Sequence, residues 1–502
     1  MVTFIVDTNF TYVDRPDLVR TAIERYFVIK KDGFVQGIDF KEYAESGKVQ
    51  LKTKYHSETI NLYNYQTQKF PTGRLGYIVD WCYDNGLPWK IIDNRIKPVR
   101  HLDIEYIGPP SDGSNGLPAR PYQTRASEVL KEHGGRGILW HATASGKTIT
   151  ASHIIADLGV NTLYMVPSIE LLDQTADALT SFLKLPKGQH IGRIGEGQWD
   201  AQPITVATTQ TLWARFDTEL CKKLLSNTEL LIGDEIHHVG SKDKGRTTKD
   251  SKGKGYDVNS WYILALHCPA YYRVGLTGTP GKDLEQKRSF IELSFGRVID
   301  RVSARELIDA GIISDVEIHI HDIKYNRMFP DFPTARKEGI FLNDKFNEYV
   351  VAITVAELKL GRSVLLLTDS KAHQGPMLEQ IFARQGMSVP FISGESGRKS
   401  RKDVRDNFKD GSLRALIGTI YREGVDFPAL DTGILCGGGK DEKKTIQFLG
   451  RVLRKAKGKD VAHFHDFNFK DKKWLQQHSR LRLSHLIEEE LDKIIKHPGI
   501  TI

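Results

Sequence analysis

The sequence predicts an α/β protein, two parallel-sheet lobes in series behind a small amino-terminal α+β domain. Three observations predict it. Short apolar runs alternate with longer helical stretches twice along the chain, a Gly/Pro/Ser/Asp-rich segment sets the amino-terminal region apart, and 502 residues suffice for about three domains. Apolar residues make up 40% and charged residues 27%, so wholesale disorder is excluded and sizeable cores are expected.

Taken in order, residues 1–107 read as the small domain. Val2, Phe4 and Val6 alternate with polar neighbours like a half-buried strand, and Leu75, Ile78, Val79 and Cys82 recur at helical spacing. Residues 108–118, GPPSDGSNGLP, form a linker, because such residues rarely sit inside a regular element. Residues 119–300 hold the runs GILW, TLYMV, ITVA, LLIG and RVGL, each followed by a helical pattern, as βαβ units require. Residues 301–472 repeat the arrangement with SVLLLT, PFIS, RALIG, TGILC and VAHFHDF, similar in pattern and not in sequence. The tail, 473–502, contains LSHLIEEELDKIIK, an amphipathic helix expected to pack on the second lobe.

Charge and cysteine content narrow the class. A net charge of +8 helps neutralise phosphates and favours a nucleic-acid partner. Cys82, Cys221, Cys268 and Cys436 lie far apart without a CxxC pair, so reduced thiols are expected rather than a zinc module or disulfide frame. The start, MVTFIVDTNFTYVDR, carries early acids and no long apolar core, which argues against a secretory leader, and no run is long enough to span a bilayer. The expectation is a cytoplasmic protein, in the host cytoplasm if viral.

Chemistry enters at His141-Ala142-Thr143-Ala144-Ser145-Gly146-Lys147-Thr148, between an apolar run and a helical stretch. Strand, loop and helix N-terminus together make an anion cradle. Thr143, Ala144, Ser145 and Gly146 would wrap phosphates, Lys147 would reach the β- and γ-phosphates of ATP, and the Thr148 hydroxyl would bind Mg²⁺. His141 stands where the general GxxxxGK[ST] form has its first Gly. The complementary half is Leu230-Leu231-Ile232-Gly233-Asp234-Glu235-Ile236-His237, a strand ending in two acids. Asp234 would hold Mg²⁺ through water and Glu235 would polarise the attacking water.

These residues resemble the superfamily 2 helicases of the DExH kind, over roughly residues 118–470. The resemblance implies two RecA-like lobes. Arg120-Pro121-Tyr122-Gln123 looks like the adenine-reading segment, with Gln123 on the base, and His237 closes the DEIH motif as a further catalytic residue. Pro167 and Ser168 look like motif Ia, Thr209 and Gln210 like the next DNA-contacting segment, and Leu276-Thr277-Gly278-Thr279-Pro280 like motif III. In the second lobe Thr368 falls in a motif IV-like run and Ile392-Ser393-Gly394 in the turn after it. Thr419, Gly424 and Asp426 fall in a motif V-like run, and Gln447-Phe448-Leu449-Gly450-Arg451-Val452-Leu453-Arg454 matches motif VI. On one helix Gln447, Arg451 and Arg454 would share a face, and such arginines neutralise charge on the transferred phosphoryl group. The ordering is the strongest argument, since independent chance matches would not keep it.

The resemblance implies a motor that closes its lobes on ATP and grips backbone phosphates through Pro167, Ser168, Thr209, Thr368 and Thr419, a mode suited to translocation. A motif VI beginning with Gln favours DNA over RNA. The leading segment KFPTGRLGYIVDWCYDNG resembles the small domain of phage UvsW-type recombination helicases, which implies remodelling of branched or forked DNA by a monomer. Two alternatives stand beside this: the motor subunit of a restriction or repair complex, and an ATP-switched nucleic-acid-binding module. The Lys- and Gly-rich insert at 239–256 is expected to be a solvated, disordered loop, with a mobile basic loop that touches duplex or a junction as the other reading, and His373 either caps a helix or acts in catalysis.

Overall fold

The computed structural model describes the chain apart from residues 31–58, 111–115, 240–245, 250–254, 259, 280–284, 394–395, 397–402, 405, 409, 420–429, 457 and 472. It divides into two compact units, Met1–Trp140 with Lys147–Arg301, and His141–Gly146 with Val302–Ile502.

The first unit holds two main sheets. The amino-terminal one runs in the order Lys69–Pro71, Phe10–Val13, Val2–Val6, Trp89–Asp93. Val2, Phe4 and Val6 point into its core, as their alternation predicts, beside Ile23, Phe27, Phe70, Ile78 and Cys82 from the helices Arg20–Phe27 and Leu75–Asp84 and the strand edge. This layer is joined to the next by buried polar contacts. Arg74 pairs with Glu292 at 2.8 Å and donates to Ser289 at 2.7 Å, and Arg273 donates to Asn9 at 2.6 Å. At Gly73 a Cβ would lie 2.2 Å from the Glu292 carbonyl oxygen, so only glycine permits the approach.

The second sheet of this unit has eight strands in the order Gln198–Trp199, Gly192–Gly195, Ile204–Thr208, Thr162–Val166, Leu230–Asp234, Tyr272–Thr277, Arg136–His141, Val298–Val302. The five runs read from the sequence are all present, and their near-continuous apolar character follows from helices covering both faces. The segment read as a linker is held in place where it is described. Ile107 donates to the Phe182 carbonyl at 2.8 Å, Leu117 to that of Pro109 at 2.9 Å, and a Cβ on left-handed Gly108 would strike the Leu117 carbonyl.

The second unit carries a seven-stranded parallel sheet ordered Phe391–Ile392, Ala415–Gly418, Val364–Leu367, Thr432–Leu435, Val461–Lys470, Asp315–Lys324, Ile494–Thr501. Two expectations are corrected here. The tail helix ends at Glu488, beyond which Glu490 takes a left-handed φ of 61°, and Ile494–Thr501 becomes the edge strand. Pairing with Asp315–Lys324 gives the backbone groups on that strand's outer side their partners, which a helix there would not supply. In the basic insert, Arg246–Lys249 and Gly255–Val258 pair as antiparallel strands rather than forming a loop throughout, and the remaining insert residues, 240–245 and 250–254, lie outside the described residues.

Candidate nucleotide and nucleic-acid site

The phosphate loop lies between a strand buried at every position, Arg136–His141, and a helix opened by Lys147, Lys147–Leu158. Ala144 and Gly146 take φ of 70° and 79°, and Ser145 donates to the Ala142 carbonyl at 3.1 Å. Left-handed residues at such a turn direct backbone N–H groups to one side and make a concavity for anions, at a cost of about 1–2 kcal/mol where the residue carries a Cβ, as Ala144 does.

The acid pair stands at the end of the strand Leu230–Asp234, in the eight-stranded sheet. Asp234, 6% exposed, ends its strand and accepts the Glu235 N–H at 2.9 Å on Oδ1. On Oδ2 it accepts the hydroxyl of Tyr164 at 3.2 Å, from the neighbouring strand. The same hydroxyl meets the Thr148 side chain. Burial and the charge of Glu235 push the Asp234 carboxyl up to about 7, while the Lys147 ammonium pulls it down. Lys147, Thr148, Tyr164, Asp234 and Glu235 therefore share one electrostatic neighbourhood. Two adjacent acids, one of them buried, and a threonine hydroxyl form an all-oxygen donor set whose excess negative charge a hard divalent cation would offset, so the residues fit Mg²⁺. Glu235 itself is left-handed, φ 50°, which aims its carboxylate at His237, whose Nδ1 lies 3.1 Å away in a nearly buried ring.

Tyr164 was not singled out from the sequence. Its only signal is a phenolic hydroxyl in the middle of the apolar run TLYMV, where a buried polar atom must find a partner. Gln123 is brought to the start of the helix Pro121–Glu132, where its Oε1 accepts the Arg120 N–H at 2.9 Å and its side chain is 1% exposed. In motif III the Thr277 hydroxyl closes on the backbone of Thr279, donating to its carbonyl at 2.8 Å and accepting its N–H at 3.0 Å.

Pro167, Ser168, Thr209 and Gln210 meet at one edge, because their strands are parallel neighbours with Val166 opposite Thr208. Gln210 donates to the Pro167 carbonyl at 2.8 Å, Thr209 to that of Val166 at 3.2 Å, and Ser168 caps the helix Ile169–Phe182. The edge therefore presents the starts of two helices, Ile169–Phe182 and Thr209–Ala214, whose N–H groups suit phosphate oxygens. The Thr209 hydroxyl is spent inside the fold.

In the second unit Thr368 is fully buried and donates to Gln374, and Thr419 follows the adjacent strand, its N–H on the Ile392 carbonyl at 3.2 Å. Beside them Asp369 takes Arg336 at 2.9 Å and the Lys444 ammonium. His373 stands exposed at the start of the helix Gln374–Arg384 without a side-chain cap bond. Gly424 and Asp426, with Pro280 and Gly394, lie outside the described residues.

The motif VI helix, Glu442–Val452, carries Gln447 and Arg451, but Arg454 falls past the C-cap residue Leu453, so the three do not share one helix. The cause is Lys459. Its buried ammonium gathers the carbonyls of Val452, Leu430 and Arg454, the last at 3.0 Å, and a cation that satisfies terminal carbonyls stops a helix there. Within the same compact unit, a Cβ at Gly450 would lie 2.3 Å from the Cβ of Thr143, so a phosphate-loop residue rests on this helix one position before Arg451.

Comparison with known proteins finds helicase relatives. Residues 116–282 match the family of the type III restriction enzyme res subunit, and residues 344–456 match the helicase conserved C-terminal domain. The chain is 27% identical to the DNA 3'-5' translocase XPB2 of Sulfurisphaera tokodaii over 67% of its own length and 78% of the relative's. It is 21% identical to the ATP-dependent DNA helicase uvsW of Enterobacteria phage T4 over 98% of its own length and 96% of that protein's. Two longer archaeal relatives are spanned over only 56% and 51% of their length. The fold is shared with the type ISP restriction-modification enzyme LlaBIII bound to DNA, with a TM-score of 0.53, 16% identity, 84% of this chain covered and 34% of that one. Among the described residues no helix is long and apolar enough to cross a membrane.

Proposed function

We propose that this chain, a superfamily 2 helicase, uses ATP and Mg²⁺ to move along DNA and remodel branched substrates, by fork regression and Holliday-junction branch migration. The observation that carries the ATPase half is the convergence of Lys147, Thr148 and Tyr164 on Asp234. The near full-length similarity to uvsW supports the branched-DNA half.

In this reading the N–H groups of Thr143 to Gly146 and the Lys147 ammonium hold the phosphates, and Gln123 reads the base once its cap bond is exchanged. When bound, Mg²⁺ supplies charge neutralisation at the phosphates, and Thr148 and Asp234 are the residues that would hold it. Tyr164 keeps Asp234 in one orientation. Glu235 accepts the proton of the attacking water, and His237 fixes the Glu235 carboxylate. Arg451 and Arg454 stabilise the charge that develops on the γ-phosphoryl group, with Gln447 beside them, and Lys459 sets the backbone from which Arg454 projects. Pro167, Ser168 and Gln210, with Thr419, position the backbone of a strand without reading bases, while Thr209 and Thr368, whose hydroxyls bond inside the fold, brace the loops beside them. Gly424 and Asp426 keep the role that motif V implies. The charge of +8 supports a polyanionic partner.

ATP turnover measured with single-stranded, duplex and four-way-junction DNA tests the proposal. The largest stimulation is expected from the junction, and Lys147→Ala should reduce turnover at least a hundredfold with all three. The match to the restriction-subunit family favours one second reading, a motor that works inside a larger complex. Stimulation that appears only with an added partner would select it, and no stimulation by any DNA would defeat both.

A further inference from the structure

The second unit carries polar chemistry that the nucleotide site does not use. Three neighbouring strands, Val461–Lys470, Asp315–Lys324 and Ile494–Thr501, bring His463, His465, His319, His321 and His497 onto one face. Glu317 is in register with His463, His319 with His465, and His321 with His497. The rings stack, His319 on His465 at 4.5 Å and 11°, and His321 on His497 at 4.4 Å and 9°.

One half of this face is closed on itself. His321 Nε2 meets His465 Nδ1 at 2.9 Å and its Nδ1 meets the Tyr349 hydroxyl at 2.9 Å, so both His321 nitrogens are occupied. The other half converges on a point. Glu317 Oε2 lies 3.3 Å from His463 Nδ1 and 3.8 Å from His319 Nε2, and the two imidazole nitrogens are 3.2 Å apart. A single proton can serve one edge of that triangle and leaves the third atom facing another lone pair. A cation at its centre serves all three.

The dimensions suit a particular class of ion. Metal–nitrogen and metal–oxygen bonds of about 2.0–2.2 Å in a tetrahedral site place neighbouring ligand atoms roughly 3.3–3.5 Å apart. An ion equidistant from the three atoms would sit about 2.0 Å from each, inside that bond range. Two imidazoles and one carboxylate favour zinc-like d-block ions over Mg²⁺ or Ca²⁺, which take oxygen donors. The orienting contact is present too, since His319 Nδ1 lies 3.0 Å from His497 Nε2 and can donate its proton there while Nε2 stays free to ligate. The Glu317 side chain is 39% exposed, which leaves a way in for the ion and a place for a water ligand.

We propose that Glu317, His319 and His463 form a binding site for one divalent d-block cation of the zinc class, with the fourth position open to water. Such an ion would tie the strand Asp315–Lys324 to Val461–Lys470 close behind the segment that carries Arg451 and Arg454.

The test uses the untagged full-length chain, stripped with chelator and then given Zn²⁺ or Co²⁺ alone. One equivalent of Zn²⁺ per chain should survive gel filtration in the presence of excess Mg²⁺, and Co²⁺ should develop the intense visible bands of a tetrahedral centre. Glu317→Gln, at a half-exposed position that spares the fold, should weaken binding at least tenfold, as should His463→Gln, while His321→Phe, in the closed half, should bind as the wild type does. Absence of stoichiometric Zn²⁺ and Co²⁺ uptake by the wild type overturns the proposal, as does uptake that Glu317→Gln leaves unchanged. None of these readouts depends on ATP turnover.

Discussion

The two large sheets handle polar side chains in opposite ways. In the first, the titratable groups stand where strands end: Asp234 closes its strand, Glu235 follows it, and Lys147 opens the helix after another. In the second, histidines sit in the middle of strands, and one of them, His321, is closed on protein partners by His465 across the sheet and by Tyr349. A group at a strand end can meet a ligand, whereas His321, in mid-strand, meets the protein through both ring nitrogens. Substitutions at the two kinds of position should therefore fail in different currencies, the first in turnover and the second in stability.

The largest expected effect is at a strand end. Glu235→Gln should lower kcat by about a hundredfold or more, equivalent to roughly 3 kcal/mol of barrier, while nucleotide affinity and the thermal midpoint stay close to wild type. A large loss of stability in this variant would break the contrast. In mid-strand, His321→Phe removes contacts to His465 and Tyr349 and leaves those partners buried, so denaturant unfolding should show a loss of about 1–3 kcal/mol. Equal stability with reduced ATP turnover would reverse the assignment.

Tyr164 sharpens the comparison, because it is a mid-strand residue of the first sheet that reaches a strand-end acid. Tyr164→Phe should cost about 1 kcal/mol in stability and weaken Mg²⁺ dependence of turnover a few-fold, mixing both effects. The smallest effect concerns Asp157, at the far end of the phosphate-loop helix. Burial alone would raise its carboxyl, but Lys131 and Ser127, from the helix that carries Gln123, outweigh burial and hold it below its usual value. A carboxyl depressed on folding stabilises the native state above its unfolded value near 3.8 and loses that contribution as pH falls through the lower folded value. Asp157→Asn should thus cost under about 1 kcal/mol at pH 7, the partners being partly exposed, and the gap to wild type should close in melts as the pH falls below 3.8 and through the lower folded value.

Much of the first sheet was readable because each of its strands is a compact apolar run followed by chemistry at its end, as in LLIGDE. The same logic placed Thr368 and Thr419 at strand ends. It failed at Asp315–Lys324 and Ile494–Thr501, where EIHIHDI and IIKHPGIT alternate with histidine and lysine and do not look apolar. It also carried Arg454 onto a helix that Lys459 cuts short, since a cap supplied by a side chain several residues further on leaves no periodic trace.

The linear order of residues determined by itself the two α/β lobes and the phosphate-loop and acid motifs, because period, run length and spacing are properties of neighbours along the chain. Only the tertiary structure decided that Tyr164 serves Asp234, that Arg74 joins the amino-terminal layer to the next through Glu292, and that Glu317 and His319 face His463. Those pairs lie 70, 218 and about 145 residues apart, and their meeting depends on which strands lie side by side, a choice made by packing and backbone pairing rather than by any local pattern.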